Sequence, residues 1–402
     1  MILVVVSVLV ALAVTEGVAR AMRPWSPWAA LEYRVPHERF GWVLEPGARY
    51  LNRLPEEVVQ VEYNANGWRD VLHPDWVAED KQRVVVLGDS FIEGYSVRLN
   101  DTLTSRLQAL LSDEVSQVEV TNLGVGGYGT LQEYLVFDAV GRALQPDVVV
   151  LAMFLDNDLR NNTRSLEALI TRDSLKYDAR PFLQQGDDGE WSISVVDIAA
   201  AWRRYLLSLE TRRSLWGRMK RESALLQLID NAVHGPGASR RKIDALDRYL
   251  ALYGAQFCNA PPEYEEAWGV TRRILRRLRD EVDAAGARLV VMIVPAVHSV
   301  DRDAMARVQD NAPDPDRLCL EQSPAGHRLM RELDAIEVPL LDLLPAFRAA
   351  AWDRGVELFR RSDDHWNPAG HALAAAELAK FIRERGLLVP DLEREVAPTL
   401  TP

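Results

Sequence analysis

Five short apolar runs punctuate the chain, and longer segments of helical period separate them. Val84-Val85-Val86-Leu87, bounded by Arg83 and Gly88, has no polar position to turn toward water and reads as a strand buried on both faces. Val118 to Asn122 and Val148 to Phe154 repeat the pattern. Leu289 to Val294 repeats it again and is stopped by Pro295, while Val338 to Asp342 makes a plausible fifth strand. Between them, Glu263 to Ala285 is an amphipathic helix, and Trp366 onward reads as a helix with Pro368 in its first turn and an alanine-rich packing face through Leu378. Strands alternating with helices predict a parallel, right-handed sheet of about five strands with helices on both faces. The expected fold is a three-layer α/β/α sandwich with a helical insertion.

The insertion follows the third strand. Pro181, Gly186-Asp187-Asp188-Gly189 and Trp191-Ser192-Ile193-Ser194 read as a turn and an alternating strand, Ile198 to Val233 as helices, and His234-Gly235-Pro236-Gly237 as a break. The expected layout is 1–21 as a membrane anchor or signal, 22–80 as an N-terminal extension, 81–160 and 270–386 as the core, 161–269 as an insertion or lid, and 387–402 as a tail. Met1 to Val14 carries no charge, which suits an anchor, yet Arg20 and Arg23 lie on the wrong side for the usual topology. A buried N-terminal helix is the other reading.

The chemistry gathers at the ends of these strands. Gly88-Asp89-Ser90 follows the first strand directly, and Asp363-Asp364-His365-Trp366-Asn367 lies near the other end of the chain. A serine hydroxyl needs an imidazole to take its proton and a carboxylate to hold the imidazole's tautomer. A plainer role for Ser90 is to cap the following helix. The second strand runs into Asn122-Leu123-Gly124-Val125-Gly126-Gly127-Tyr128-Gly129 and the third into Leu155-Asp156-Asn157-Asp158, so each ends in groups able to aim N–H donors at one place.

Together these four blocks resemble the SGNH hydrolases, a branch of the GDSL esterase and lipase superfamily. The resemblance covers roughly residues 81 to 160 and 285 to 385. It implies Ser90 as nucleophile and first oxyanion donor, Gly127 as second donor, Asn157 as third, His365 as base and Asp363 as its carboxylate. Two departures stand out: Leu155 replaces the glycine usual two residues before the asparagine, and the acid position three before the histidine is Ser362. The variant with the acid two before the histidine selects Asp363 over Asp364. Asn64-Ala65-Asn66-Gly67-Trp68-Arg69 is also seen in anchored members of that family, with Arg69 either packing beneath the site or holding a loop or substrate.

The expected activity is ester hydrolysis, of O-acetyl or other acyl groups on carbohydrate or envelope substrates, with acyl transfer as the runner-up. Export of the catalytic domain and membrane association through the N-terminal segment are expected from the same resemblance. A non-catalytic glycan-binding protein on this fold is a further alternative. Gly124-Val125-Gly126-Gly127-Tyr128-Gly129 also fits a dinucleotide-binding turn, but no acidic residue ends the next strand at the required spacing, and Ser90 and His365 are left without a task.

With 47 basic and 59 acidic residues the net charge of −12 argues against a nucleic-acid groove. The arginine-rich stretch Arg203 to Arg221 reads as an amphipathic helix with a solvated basic face. No cofactor is expected. No metal site is expected either, since His371 lies six residues past His365 and off its helical face. Cys258 and Cys319 are the only cysteines, and either a disulfide or two buried thiols fits.

Overall fold

A computed structural model of the chain describes residues 2–22, 33–73, 81–112, 117–171, 175–186, 188–194, 196–213 and 245–388, with 223, 225, 226 and 229 between the last two. The expected break at 234–237, the helical reading of 231–233, the C-terminal part of the arginine-rich stretch and the tail from 389 onward lie outside the described residues.

Three antiparallel hairpins stand apart from the main sheet. They are β1 (Arg34–His37) with β2 (Gly41–Leu44), β3 (Arg49–Arg53) with β4 (Val58–Glu62), and β8 (Leu183–Gln185) with β9 (Trp191–Ile193). The main sheet is five-stranded and wholly parallel. It comprises β5 (Gln82–Gly88), β6 (Val118–Gly124), β7 (Val148–Met153), β10 (Arg288–Ile293) and β11 (Leu340–Asp342), in the order β11-β10-β7-β5-β6. Strand β6 runs two residues beyond its expected end because Leu123 and Gly124 still pair with Leu87 and Gly88.

Alternation along β5 assigns the two faces. Val84 and Val86 join one apolar cluster with Leu103, Leu107, Phe347, Ala374, Leu378 and Ile382, from helices Leu103–Leu111, Leu344–Arg348 and Pro368–Glu384. Val85 and Leu87 join the other, with Leu131, Leu135, Trp268, Leu275, Leu329 and Leu333 from helices Thr130–Ala139, Pro262–Ala284 and Pro324–Asp334. These are the two outer layers of an α/β/α sandwich. Trp42, Val59 and Val61 of the first two hairpins extend this second cluster.

The sheet order fixes where a site can form. Strand β6 lies on one side of β5 and β7 on the other, so connections leaving β5 and β7 diverge and open a crevice at their carboxyl ends. Ser90 follows β5 and Asn157 follows β7.

At the N-terminus, the 21-residue helix Ile2–Met22 exposes Val6, Val10, Leu12, Val14 and Val18. Among the described residues no helix is long and apolar enough to cross a membrane. The helix also carries Glu16, whose carboxylate accepts the Ser223 hydroxyl at 2.7 Å and the Leu225 N–H at 3.0 Å. The apolar run expected as an anchor or signal is thus interrupted by a side chain that bonds the protein itself. The two cysteines are joined, Cys258 to Cys319, beside the bridge between Phe257 and Leu318.

Candidate active site

Ser90 is the first residue of the short helix Ser90–Glu93. The capping role falls to Asp89, whose carboxylate accepts the Phe91 N–H at 2.9 Å, which leaves the Ser90 hydroxyl free to turn elsewhere. It meets His365, with Oγ 2.7 Å from Nε2. The opposite nitrogen, Nδ1, bonds the Asp363 carboxylate.

Asp363 and His365 meet in a bend that precedes the helix, since helix Pro368–Glu384 begins only at Pro368, with Asn367 as its cap. Asp364 points away, is exposed, and lines a surface cavity of about 330 Å³ with Tyr253 and His298. The helix entrance is taken by Asn367 and not by Asp364.

The histidine is packed as well as bonded. Phe91 lies 4.8 Å from its ring centroid and Tyr95 meets it edge-on at 5.1 Å. Tyr95 Oη donates to the second Asp363 oxygen at 3.2 Å. Burial pulls His365 down, but the hydrogen bond and charge of Asp363, with Asp89 and Asp364, outweigh it and raise its pKa above 6.5. Burial works to raise Asp363, yet the His365 hydrogen bond and charge and the Tyr95 hydroxyl hold it below the usual carboxylate range.

The glycine turn after β6 lies beside the serine: a Cβ built on Gly126 would stand 3.7 Å from Ser90 Cβ. Nearly every polar group of that turn is fixed from behind. Glu93 Oε2 accepts the Gly126 N–H at 2.6 Å, Arg34 donates to the Gly126 carbonyl, and Arg180 Nη2 donates to the Gly127 carbonyl at 2.7 Å. The Tyr128 N–H goes to the Val125 carbonyl at 3.1 Å. Among the described residues no acceptor takes the Gly127 N–H. Gly127 has φ +80°, which a side chain resists, so glycine is required there.

Asn157 directs its side-chain amide toward the same place by an indirect route. Its Nδ2 donates to Asp89 Oδ2 at 2.9 Å, which uses one of two amide hydrogens and leaves the other for a ligand. Leu155, in place of glycine, is buried at the first position of helix Leu155–Asn161, and its Cβ is accommodated. Burial raises the Asp89 carboxyl despite the Asn157 and Phe91 bonds.

Sequence reasoning missed the groups that orient these residues: Arg34, Glu93, Tyr95 and Arg180. No motif marks them, because each acts through the backbone or through another side chain. Arg69 proves to hold a loop: its guanidinium is buried and donates to the carbonyls of Gly94 and Val97, just after the serine helix. Ser362 bonds Glu56 in the turn between β3 and β4, with its hydroxyl at 2.7 Å, and so cannot serve as the acid. His371 is buried, accepts the Leu103 N–H at 3.2 Å, and is held neutral with its pKa pushed down to about 3 by burial and by Arg69.

Residues 252–399 match the family model for the SGNH hydrolase-like domain, acetyltransferase AlgX. No curated protein matches. Among solved structures, the chain is 14% identical to an acetylxylan esterase from Geobacillus stearothermophilus, over 78% of this chain and 97% of that one, with a TM-score of 0.37. A lipase/acylhydrolase from Enterococcus faecalis is 13% identical over 76% and 96%, also with a TM-score of 0.37. Residues 252–399 are therefore similar to an SGNH hydrolase-like domain, and they belong to a chain whose parallel sheet, ordered β11-β10-β7-β5-β6, carries Ser90 at the end of its first strand.

Proposed function

We propose that the protein cleaves O-acyl esters through Ser90, His365 and Asp363. The observation that carries this reading is the 2.7 Å contact between Ser90 Oγ and His365 Nε2, with Nδ1 of the same ring on Asp363. In this sequence of steps Ser90 Oγ attacks the ester carbonyl as its proton passes to Nε2, and the carbonyl π pair moves onto oxygen. The backbone N–H groups of Ser90 and Gly127 and the free amide hydrogen of Asn157 receive that charge. Collapse expels the alcohol, which takes the proton from His365, and leaves an acyl-serine.

Water or a second hydroxyl then resolves the acyl-serine. Transfer to a hydroxyl acceptor is favoured as a second reading by one observation, the match of residues 252–399 to a family model described by an acetyltransferase. Acetylated carbohydrate is the proposed substrate class. An extracytoplasmic site is proposed from the Cys258–Cys319 disulfide, which suits an oxidising compartment, and surface association with membrane from the exposed valines of helix Ile2–Met22.

The test is covalent labelling. A fluorophosphonate should label the wild type at Ser90 and spare Ser90→Ala, and equal labelling of both would remove Ser90 from the role. Acetate release from acetylated oligosaccharides, with and without acceptor sugars, separates hydrolysis from transfer.

A further inference from the structure

Lys176 comes from helix Leu175–Asp178, in the segment between β7 and the β8–β9 hairpin, and it reaches into the serine site. A Cβ built on Gly127 would stand 3.0 Å from its Nζ and 2.9 Å from its Cε, so the ammonium lies directly over the residue whose N–H has no acceptor. Among the described residues no carboxylate or carbonyl bonds that ammonium. The carboxylate whose charge acts on it, Glu167, is engaged by Arg160 at 3.3 Å and Arg180 at 3.7 Å. The two arginines beside it, Arg34 and Arg180, are directed at the carbonyls of Gly126 and Gly127. Their charges are therefore committed to the rear of the turn, while that of Lys176 is not.

We propose that Lys176 is a further contact for the reacting oxygen, its ammonium sharing with the Gly127 N–H the charge that develops when Ser90 attacks the ester. The proposal rests on the serine reading above. A fixed cation a few ångströms from a developing oxyanion, in a site partly closed to water, favours the transition state over the neutral ester. No bond to Lys176 forms or breaks. The lysine proton stays in place while the Ser90 proton goes to His365.

The groups facing Lys176 make the effect dependent on pH. Burial, then Arg34 and Arg180, push its pKa down to about 7, with Arg160 acting in the same sense and Glu167 against it; Asp89 also faces it. The ammonium is present below that value and lost above it. His365 acts in the opposite sense, because only the neutral ring accepts the Ser90 proton.

The experiment uses the full chain and p-nitrophenyl acetate, a neutral ester with no anionic substituent. Lys176→Met should lower kcat by about 10- to 100-fold with KM changed by less than about twofold, somewhat less than loss of one direct oxyanion donor. Wild type should show a kcat/KM profile with an alkaline fall, and Lys176→Arg should abolish that fall while keeping most of the rate. An unchanged kcat in Lys176→Met, even with a raised KM for an anionic ester, overturns the proposal and makes Lys176 a binder of substrate charge. An alkaline fall that persists in Lys176→Arg overturns it independently, even if the methionine variant does not fold. Failure of the underlying reading is distinct: Ser90→Ala would then retain turnover.

Discussion

Glu93 and Gly126 are joined by a 2.6 Å hydrogen bond, from the glycine N–H to Oε2, while Oε1 of the same carboxylate accepts the Tyr63 hydroxyl at 2.8 Å. The carboxylate ties the serine helix to the glycine turn and both to the strand pair that precedes them. Glu93→Gln offers only one oxygen to these two donors and sets an NH2 against the other. An unpaired buried donor costs about 1–3 kcal/mol. The expected result is a kcat reduced by about tenfold or more, with Ser90 still labelled by fluorophosphonate. Undiminished turnover would show that the Gly127 N–H needs no such support.

Asp363 and Asp364 provide an internal comparison. Asp363→Asn breaks the bond that holds the His365 tautomer and should lower kcat by up to about 10⁴-fold. Asp364→Asn, exposed on a cavity wall, should leave kcat within about threefold, as for a surface change away from the reacting atoms. Measuring both on one ester decides the acid, and the reverse ranking transfers the role to Asp364.

Asn157→Ala removes one oxyanion donor and with it the bond to Asp89. A loss of about 10²- to 10³-fold in kcat is expected. Asn157→Asp should do as badly, since it sets a carboxylate against Asp89. Wild-type kcat in the alanine variant would mean that the amide faces no reacting oxygen.

His365, as the proposed base, should set the acid limb of the pH profile. Its pKa is raised above 6.5 by Asp363, Asp89 and Asp364 despite burial, so kcat/KM should climb with pH through an ionisation above 6.5. In Asp363→Asn the chief raising influence is gone and the limb should move to lower pH. Asp363 itself is held low, so its contribution to stability is complete above the ordinary carboxylate range and lost only as pH falls through its depressed value. A limb that stays in place in the variant would contradict the assignment.

Cys258 and Cys319 close a loop with a sequence separation of 61. Replacing both by serine should cost about 2–4 kcal/mol and lower Tm, with kcat on a small ester nearly unchanged, because neither sulfur approaches Ser90. Thermal melts with and without reductant check this, and an equal Tm under both conditions would show the bridge to be energetically idle.

The strands, and the residues proposed to react, stood out in the sequence for a physical reason. A central parallel strand must be apolar on both faces, so Val84 to Leu87 and Val148 to Met153 stand out, and each reacting group follows directly on such a strand or sits in a compact block. The groups that aim them were not legible. Arg180 acts through a carbonyl, Tyr95 through a carboxylate, and Lys176 by lying over a residue with no side chain, none of which imposes a local period. Helix Ile2–Met22 shows the converse, an apolar run interrupted at Glu16, whose carboxylate is given partners by Ser223 and Leu225.

The turn between β3 and β4 holds the histidine loop through residues 306 positions apart. Glu56 takes both the N–H and the hydroxyl of Ser362, 306 positions later, and Glu57 pairs with Arg360 at 2.9 Å. A ribosome makes this clasp 306 residues before its counterpart. The nascent chain must therefore carry an open clasp while those residues are made, and competence should arrive as a slow step governed by long-range closure rather than by the local elements.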